Sequence, residues 1–111
     1  MKEVKAYLHA HRIGAVIAEL KASAVWAAAG DANHNLAVYV VKGSLVPIDE
    51  HERHYSVELG GEVVNEYKLE LLCEDAHVDE FVKIIRRVGR TGQRCAGWVY
   101  VTDLQQALPI D

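Results

Sequence analysis

Apolar residues recur at helical spacing in two stretches of the chain. Val78, Phe81, Val82 and Ile85 stand at i, i+3, i+4 and i+7. Ile84 and Val88 widen this stripe, while Asp79, Glu80, Lys83, Arg86 and Arg87 fall on the other side. Asp75 is the expected N-cap of this helix and Gly89 its expected stop. Ile13, Val16, Ile17 and Leu20 repeat the same spacing near the start of the chain. Each helix therefore has one face to bury.

Strand patterns flank both helices. Val4, Ala6 and Leu8 alternate with Lys5, Tyr7 and His9, and Leu36–Val41 is a β-rich run that ends at Lys42 and Gly43. Tyr67, Leu69 and Leu71 alternate with Lys68 and Glu70, and Trp98–Val101 follows the second helix. The order β-α-β-β-α-β predicts an α+β, ferredoxin-like sandwich, with a four-stranded antiparallel sheet and two helices on one face. Leu69, Leu71, Val99 and Val101 are expected to exceed what the helix-covered face can take. Oligomerisation is then the natural cover for the second face.

Three connections stand out. Gly30-Asp31-Ala32-Asn33-His34-Asn35 is a polar turn, Ser44–Asn65 is a long link between the central strands, and Gly89–Gly97 is rich in Arg and Gly. Connections of this length in small domains are usually functional or mobile. Tyr55, Val57 and Leu59 alternate with polar residues, so part of the long link either extends the hairpin or remains loop.

Composition narrows the function classes. A chain of 111 residues is expected to form one domain, 1–111, with a single core. The formal net charge of −4 argues against broad binding to nucleic acid or to an anionic membrane, although Arg86, Arg87, Arg90 and Arg94 form a local patch that attracts an anion. Lys2, Glu3 and Lys5 interrupt any leader-like apolar run, and no stretch approaches the roughly 20 apolar residues of a membrane span. Cys73 and Cys95 are too few for a disulfide framework, which fits reduced thiols and a cytoplasmic protein. No Ser/His/Asp or Cys/His arrangement at familiar spacing and no Walker-type or dinucleotide loop is present, so no enzyme activity is expected.

The element order, Lys42-Gly43, the long link after it, Lys68-Leu69-Glu70-Leu71 and Arg90-Thr91-Gly92 together resemble the P-II family of signalling proteins, over nearly the whole chain. The resemblance implies a homotrimer with nucleotide clefts between subunits. It also implies a T-loop, here 44–65, that docks on a protein target, and a B-loop, here 89–97, that cradles phosphates. Lys42, Gly43, Glu70, Thr91, Gly92, Gln93, Arg94 and Gly97 are the implied nucleotide-binding residues. His51, Glu52, Arg53, His54 and Tyr55 are the implied partner-binding residues. The chain departs from the family pattern in several places. Trp98 replaces a phosphate-binding lysine, and the C-terminal Arg-x-Arg is missing. The region of His54 and Tyr55 lacks the usual neighbours of the tyrosine modified in some members, and the loop before the second strand is longer by roughly Ala27–Asn35. It therefore looks like a divergent member. AMP or ADP is favoured over ATP, because fewer cations remain to offset the charge. By analogy with divergent members, bicarbonate shares or adjoins the site, and the target is a transporter or an inorganic-carbon system.

Two other chemistries stay in view. Asp49, Glu50, His51, Glu52 and His54 place five potential ligands in six residues, with His51 and His54 the candidates for metal, and His9 and His11 share a strand face. A metal-binding trimer of the CutA copper-tolerance type is the alternative function. Cys95 beside Arg94 is a candidate for redox control, whereas Cys73 is expected in the core. Trp98 serves either an interface or the core, and Trp26 the core.

Overall fold

Two amphipathic helices and a set of alternating strands can bury their apolar sides together only by packing on one sheet face. The structure is a computed structural model and describes residues 1–30, 35–45, 47 and 50–111. In chain order the elements are β1 (Lys2–His9), α1 (Ile13–Ala22), α2 (Ala24–Ala29), β2 (Ala37–Gly43), β3 (Arg53–Ser56), β4 (Gly61–Cys73), α3 (Val78–Val88) and β5 (Trp98–Asp103). Asp31, Ala32, Asn33 and His34 of the polar turn lie outside the described residues, as do Val46, Ile48 and Asp49 of the long link.

The sheet is antiparallel and open, with strand order β2-β4-β1-β5. This order is compatible with a ferredoxin-like fold. Val4, Ala6 and Leu8 of β1 and Leu69, Leu71 and Cys73 of β4 meet Val16 and Leu20 of α1 and Phe81, Ile84 and Ile85 of α3 in one core. Each of the valine, leucine, isoleucine and phenylalanine side chains among them contributes on the order of 1.5–3 kcal/mol by leaving water. No helix among the described residues is long and apolar enough to cross a membrane.

The helix boundaries differ from the expectation at two points. Ser23 is extended and interrupts the first helical stretch: its Oγ donates to Leu20 O at 2.6 Å and accepts the Trp26 N–H at 3.2 Å, so one side chain ends α1 and caps α2. Asp75 opens a 3₁₀ turn, Asp75–His77, and α3 begins only at Val78. Gly89 ends α3 as expected.

Among the described residues the sheet has five strands instead of four. β3 pairs with β4 through Arg53↔Val64 to Ser56↔Gly61, closed by a turn in which Ser56 O accepts the Gly60 N–H at 2.8 Å. Val64 also pairs with Gly43, so β3 runs along the edge of β4 opposite β2, just beyond the point where β1 ends at His9↔Glu66. The long link thus crosses β4 and does not simply lengthen the β2–β4 hairpin.

The expected surplus on the helix side is also corrected. Val4↔Leu71 and Ala6↔Leu69 place those leucines against the helices, and Val4↔Val101 and Ala6↔Val99 place both valines on the same face. Leu69 and Leu71 are buried, Val99 is half-buried, and Val101 spills out at 42% exposure beyond the helices. The opposite face is aromatic and charged. The Lys68 ammonium lies 5.1 Å from the Tyr7 ring centroid and 5.7 Å from that of Tyr39, and the Tyr7 and Tyr100 rings are 6.3 Å apart. Side-chain hydrogen bonds with Tyr39 and then Tyr7 hold this ammonium above the ordinary lysine range.

Candidate functional site

Where α3 runs out, the chain turns back to begin β5, and the connecting loop stands over a gap beside β1. The result is a cavity of about 660 Å³. Leu8, Ile85 and Val99 supply apolar wall, Trp98 stands at its rim, and Thr91, Gln93 and Cys95 face it from the loop. Lys83, Arg86, Arg87 and Arg90 complete the lining. The i, i+3, i+4, i+7 spacing that clusters these cations is the polar counterpart of the apolar stripe on α3. Arg87 is paired with Glu19 at 3.6 Å. Lys83, Arg86 and Arg90 have no ion-pair partner among the described residues. Cations at a helix C-terminus also complement its dipole, so part of their placement serves α3 itself.

The loop is held in place at several points. A Cβ on Gly97 would come within 2.9 Å of Tyr7 O, so only glycine lets the chain approach β1 this closely. The Thr91 hydroxyl accepts the Gln93 N–H at 3.4 Å, and Gly92 and Cys95 both have positive φ, +88° and +54°. Gln93 reaches furthest: its Nε2 donates to Pro47 O at 2.9 Å, tying the loop before β5 to the long link after β2.

A second cluster sits at the foot of the long link. Glu66 is only 4% exposed, and its carboxylate lies where a side chain on Gly43 would be, accepting the Leu45 N–H at 3.4 Å. Burial raises the Glu66 carboxyl above the ordinary glutamate range, and the Leu45 N–H offsets part of the rise. His9, opposite Glu66 in the sheet, is 1% exposed. Its Nδ1 accepts the His11 N–H at 3.1 Å, which leaves the ring proton of the neutral imidazole on Nε2, against the Glu52 carboxylate. The contact between Nε2 and Glu52 is close, but it lacks the alignment of a good hydrogen bond. This contact fastens the 3₁₀ turn Glu50–Glu52 to the end of β1.

The residues expected from the sequence fall into separate places. Thr91, Gln93 and Gly97 line the basic cavity, whereas Gly92 and Arg94 belong to the same loop but do not line it. Gly43 sits over Glu66 at the foot of the long link, with Lys42 next to it at the end of β2. Glu70 is not brought to them within one subunit. It stands five positions along β4 from Asn65, the partner of Lys42, roughly 16 Å away and on the other sheet face. There it accepts from Tyr39 Oη at 2.8 Å and lies 3.5 Å from Lys5, and these contacts hold its carboxyl below the ordinary range, the Tyr39 bond first.

Among the expected partner-binding residues, His51, Arg53 and His54 are exposed, Tyr55 is 66% exposed, and Glu52 turns inward to His9. Val57 at 86% and Leu59 at 60% exposure continue the apolar edge of the β3–β4 turn. Among the described residues no three His, Cys, Asp or Glu side chains are grouped to hold a metal ion, and Asp49 lies outside them. The rings of His9 and His11 do meet, 4.9 Å apart. Cys73 is buried, and burial raises its thiol; Cys95 is exposed. Trp98 is 61% exposed and therefore does not belong to the core, while Trp26 packs against it.

Sequence reading gave Arg86, Arg87 and Arg90 as part of an anion-attracting patch and passed over Lys83, whose place in the same helical register was the available signal. The pairing of His9 with Glu52 had none, since 43 positions and an intervening strand separate them. Compared with known proteins, the chain matches no family model and no curated sequence.

Proposed function

We propose that the chain is a P-II-like regulatory protein with a ferredoxin-like fold. It binds an adenine nucleotide, AMP or ADP, in clefts between the subunits of a homotrimer, and it signals through the Ser44–Asn65 loop to a protein target. The observation that carries this reading is the Gln93–Pro47 hydrogen bond, which joins the Thr91-Gly92 loop to the long link. A ligand held by the first loop then has a direct mechanical path to the second. Such a ligand shifts the long loop by its differential affinity for the two loop states.

Three further features support the reading. The strand order is compatible with the ferredoxin-like fold that the P-II resemblance implies. The loop before β5 overhangs a cavity lined by Lys83, Arg86 and Arg90, which have no ion-pair partner among the described residues and are suited to phosphate. The exposed Tyr55, Val57 and Leu59 give the long link an apolar edge that a protein target can cover. Glu70, remote from Gly43 within one chain, belongs to a nucleotide cleft only if a neighbouring subunit brings the two together. Bicarbonate sharing or adjoining the site, and a transporter or inorganic-carbon system as target, are parts of the same proposal and rest on the resemblance.

Calorimetric titration with AMP, ADP and ATP tests the reading. Saturable heat with AMP or ADP, at an affinity above that for ATP, is the expected outcome. No heat from any of the three at millimolar concentration refutes it. Light scattering with size-exclusion chromatography tests the trimer, and a monomeric mass at micromolar concentration would remove the intersubunit cleft.

A further inference from the structure

We infer that Lys83, Arg86 and Arg90 form this chain's own phosphate grip, and that they make the site selective for a diphosphate over a monophosphate. The inference rests on the nucleotide reading for the identity of the ligand, but the grip itself is argued from the cavity. The P-II resemblance implies a lysine at the end of the loop before β5 and an Arg-x-Arg further on. Here Trp98 stands at the first position, and the second motif is missing. The charge lost there is present on another element.

Lys83, Arg86 and Arg90 project from the polar side of α3 and its exit into the same 660 Å³ cavity that Thr91 and Gln93 overhang. All three are exposed, and none has an ion-pair partner among the described residues, so no described carboxylate competes with a ligand for them. Arg87, the fourth cation of the lining, is already engaged by Glu19 at 3.6 Å and is the weaker contributor. Lys83 and Arg86 are three positions apart, about 4.5 Å along α3, and Arg90 follows just past its end, so that their long side chains can converge on two linked phosphates.

Charge matching sets the selectivity. A diphosphate carries about three negative charges at neutral pH, one on the inner phosphate and up to two on the terminal one, against about 1.5–2 for a monophosphate. Three unpaired cations balance the first and over-supply the second. The two guanidiniums can each present a two-pronged donor face, and Lys83 a point charge. The Thr91 hydroxyl uses a lone pair for the Gln93 N–H and retains its proton to donate to a phosphate oxygen. ADP is therefore the favoured nucleotide, and inorganic pyrophosphate is a sufficient probe of the grip.

The test is calorimetry with pyrophosphate, ADP and AMP on wild type, Lys83→Ala, Arg86→Ala and Arg90→Ala, with Lys21→Ala on α1 as the control for general loss of charge. Melting temperatures accompany each titration, and these exposed positions are expected to lower them only slightly, by the lost complement to the dipole of α3. Each cavity variant should weaken pyrophosphate and ADP by about tenfold or more while weakening AMP less, so that the preference for ADP collapses. Lys21→Ala should match wild type. Unchanged pyrophosphate and ADP affinities in all three variants overturn the inference, as does wild-type protein that binds AMP as tightly as ADP. In both cases the nucleotide reading stands. Pyrophosphate binding that the variants weaken, with no binding of any nucleotide, supports the grip and refutes the nucleotide reading. Wild type that binds neither pyrophosphate nor ADP overturns both.

Discussion

Replacing Gly43 with alanine tests how the long link is anchored to the sheet. A glycine-to-alanine change in a strand ordinarily gains about 0.5–1 kcal/mol by restricting the unfolded chain. Here the new Cβ would overlap Glu66 Oε1 and lie 2.5 Å from Cδ and 2.7 Å from Oε2, so the whole carboxylate must move. Glu66 has little room, being 4% exposed, and moving it breaks the bond from the Leu45 N–H. Overpacking costs about 1–3 kcal/mol and a lost hydrogen bond about 0.5–1.5 kcal/mol, so a net loss of about 2 kcal/mol is expected after the entropic gain. The assay is urea denaturation of wild type, Gly43→Ala, Glu66→Ala and the double variant. Gly43→Ala should be nearly neutral once Glu66 has been shortened, giving a coupling energy of at least about 1 kcal/mol. The same cost for Gly43→Ala in both backgrounds, or a stabilised single variant, would refute the contact as the reason for glycine at this position.

The remaining predictions concern stability. Because burial raises the folded-state Glu66 carboxyl above its ordinary value of 4.5, the folded chain binds the extra proton between the two values. Stability from this group is therefore highest at low pH, falls as pH rises through the raised folded value and then levels off. Urea melts from pH 4 to pH 8 should show Glu66→Gln gaining stability over wild type as pH rises, and a constant difference across that range would contradict it. Asn35 stands in for a strand partner, accepting the Leu72 N–H at 2.7 Å and donating to Leu72 O at 3.0 Å. Asn35→Ala should cost about 1–3 kcal/mol in a urea melt, and a loss under about 0.5 kcal/mol would show that water replaces it freely. Cys95 holds φ +54° without being glycine, a left-handed conformation that costs about 1 kcal/mol. Cys95→Gly should match or exceed wild-type stability, and a clear loss would mean that the thiol makes a contribution outweighing the strain.

The parts of this fold that could be read from sequence are those governed by local periodicity. The α3 stripe of Phe81, Ile84 and Ile85 fixes its buried face from spacing alone, and Val4, Ala6 and Leu8 do the same for β1. Ser23 was readable in principle, since a serine three positions before Trp26 is a capping signal, but continuous helical propensity on both sides hid it. The crossing of the long link was not readable. Val64 pairs with Gly43 on one edge and Arg53 on the other, and a period-two pattern identifies faces without identifying edges. The expected surplus of apolar residues failed for a related reason: only the register Val4↔Leu71 and Val4↔Val101 reveals that the suspected residues share one face. At the candidate site, Thr91 and Gln93 were legible as a turn, whereas their link to Pro47 depends on a tertiary approach across 46 positions.

The central claim is that nucleotide bound beside the Thr91-Gly92 loop changes the state of the long link. Hydrogen exchange of the Ser44–Asn65 amides, followed as ADP is titrated, measures this directly. The account predicts exchange rates in that segment that change with ADP and saturate at the calorimetric affinity, with the core strand Lys2–His9 unaffected. ADP that binds with measurable heat yet leaves Ser44–Asn65 exchange unchanged at saturation would contradict it.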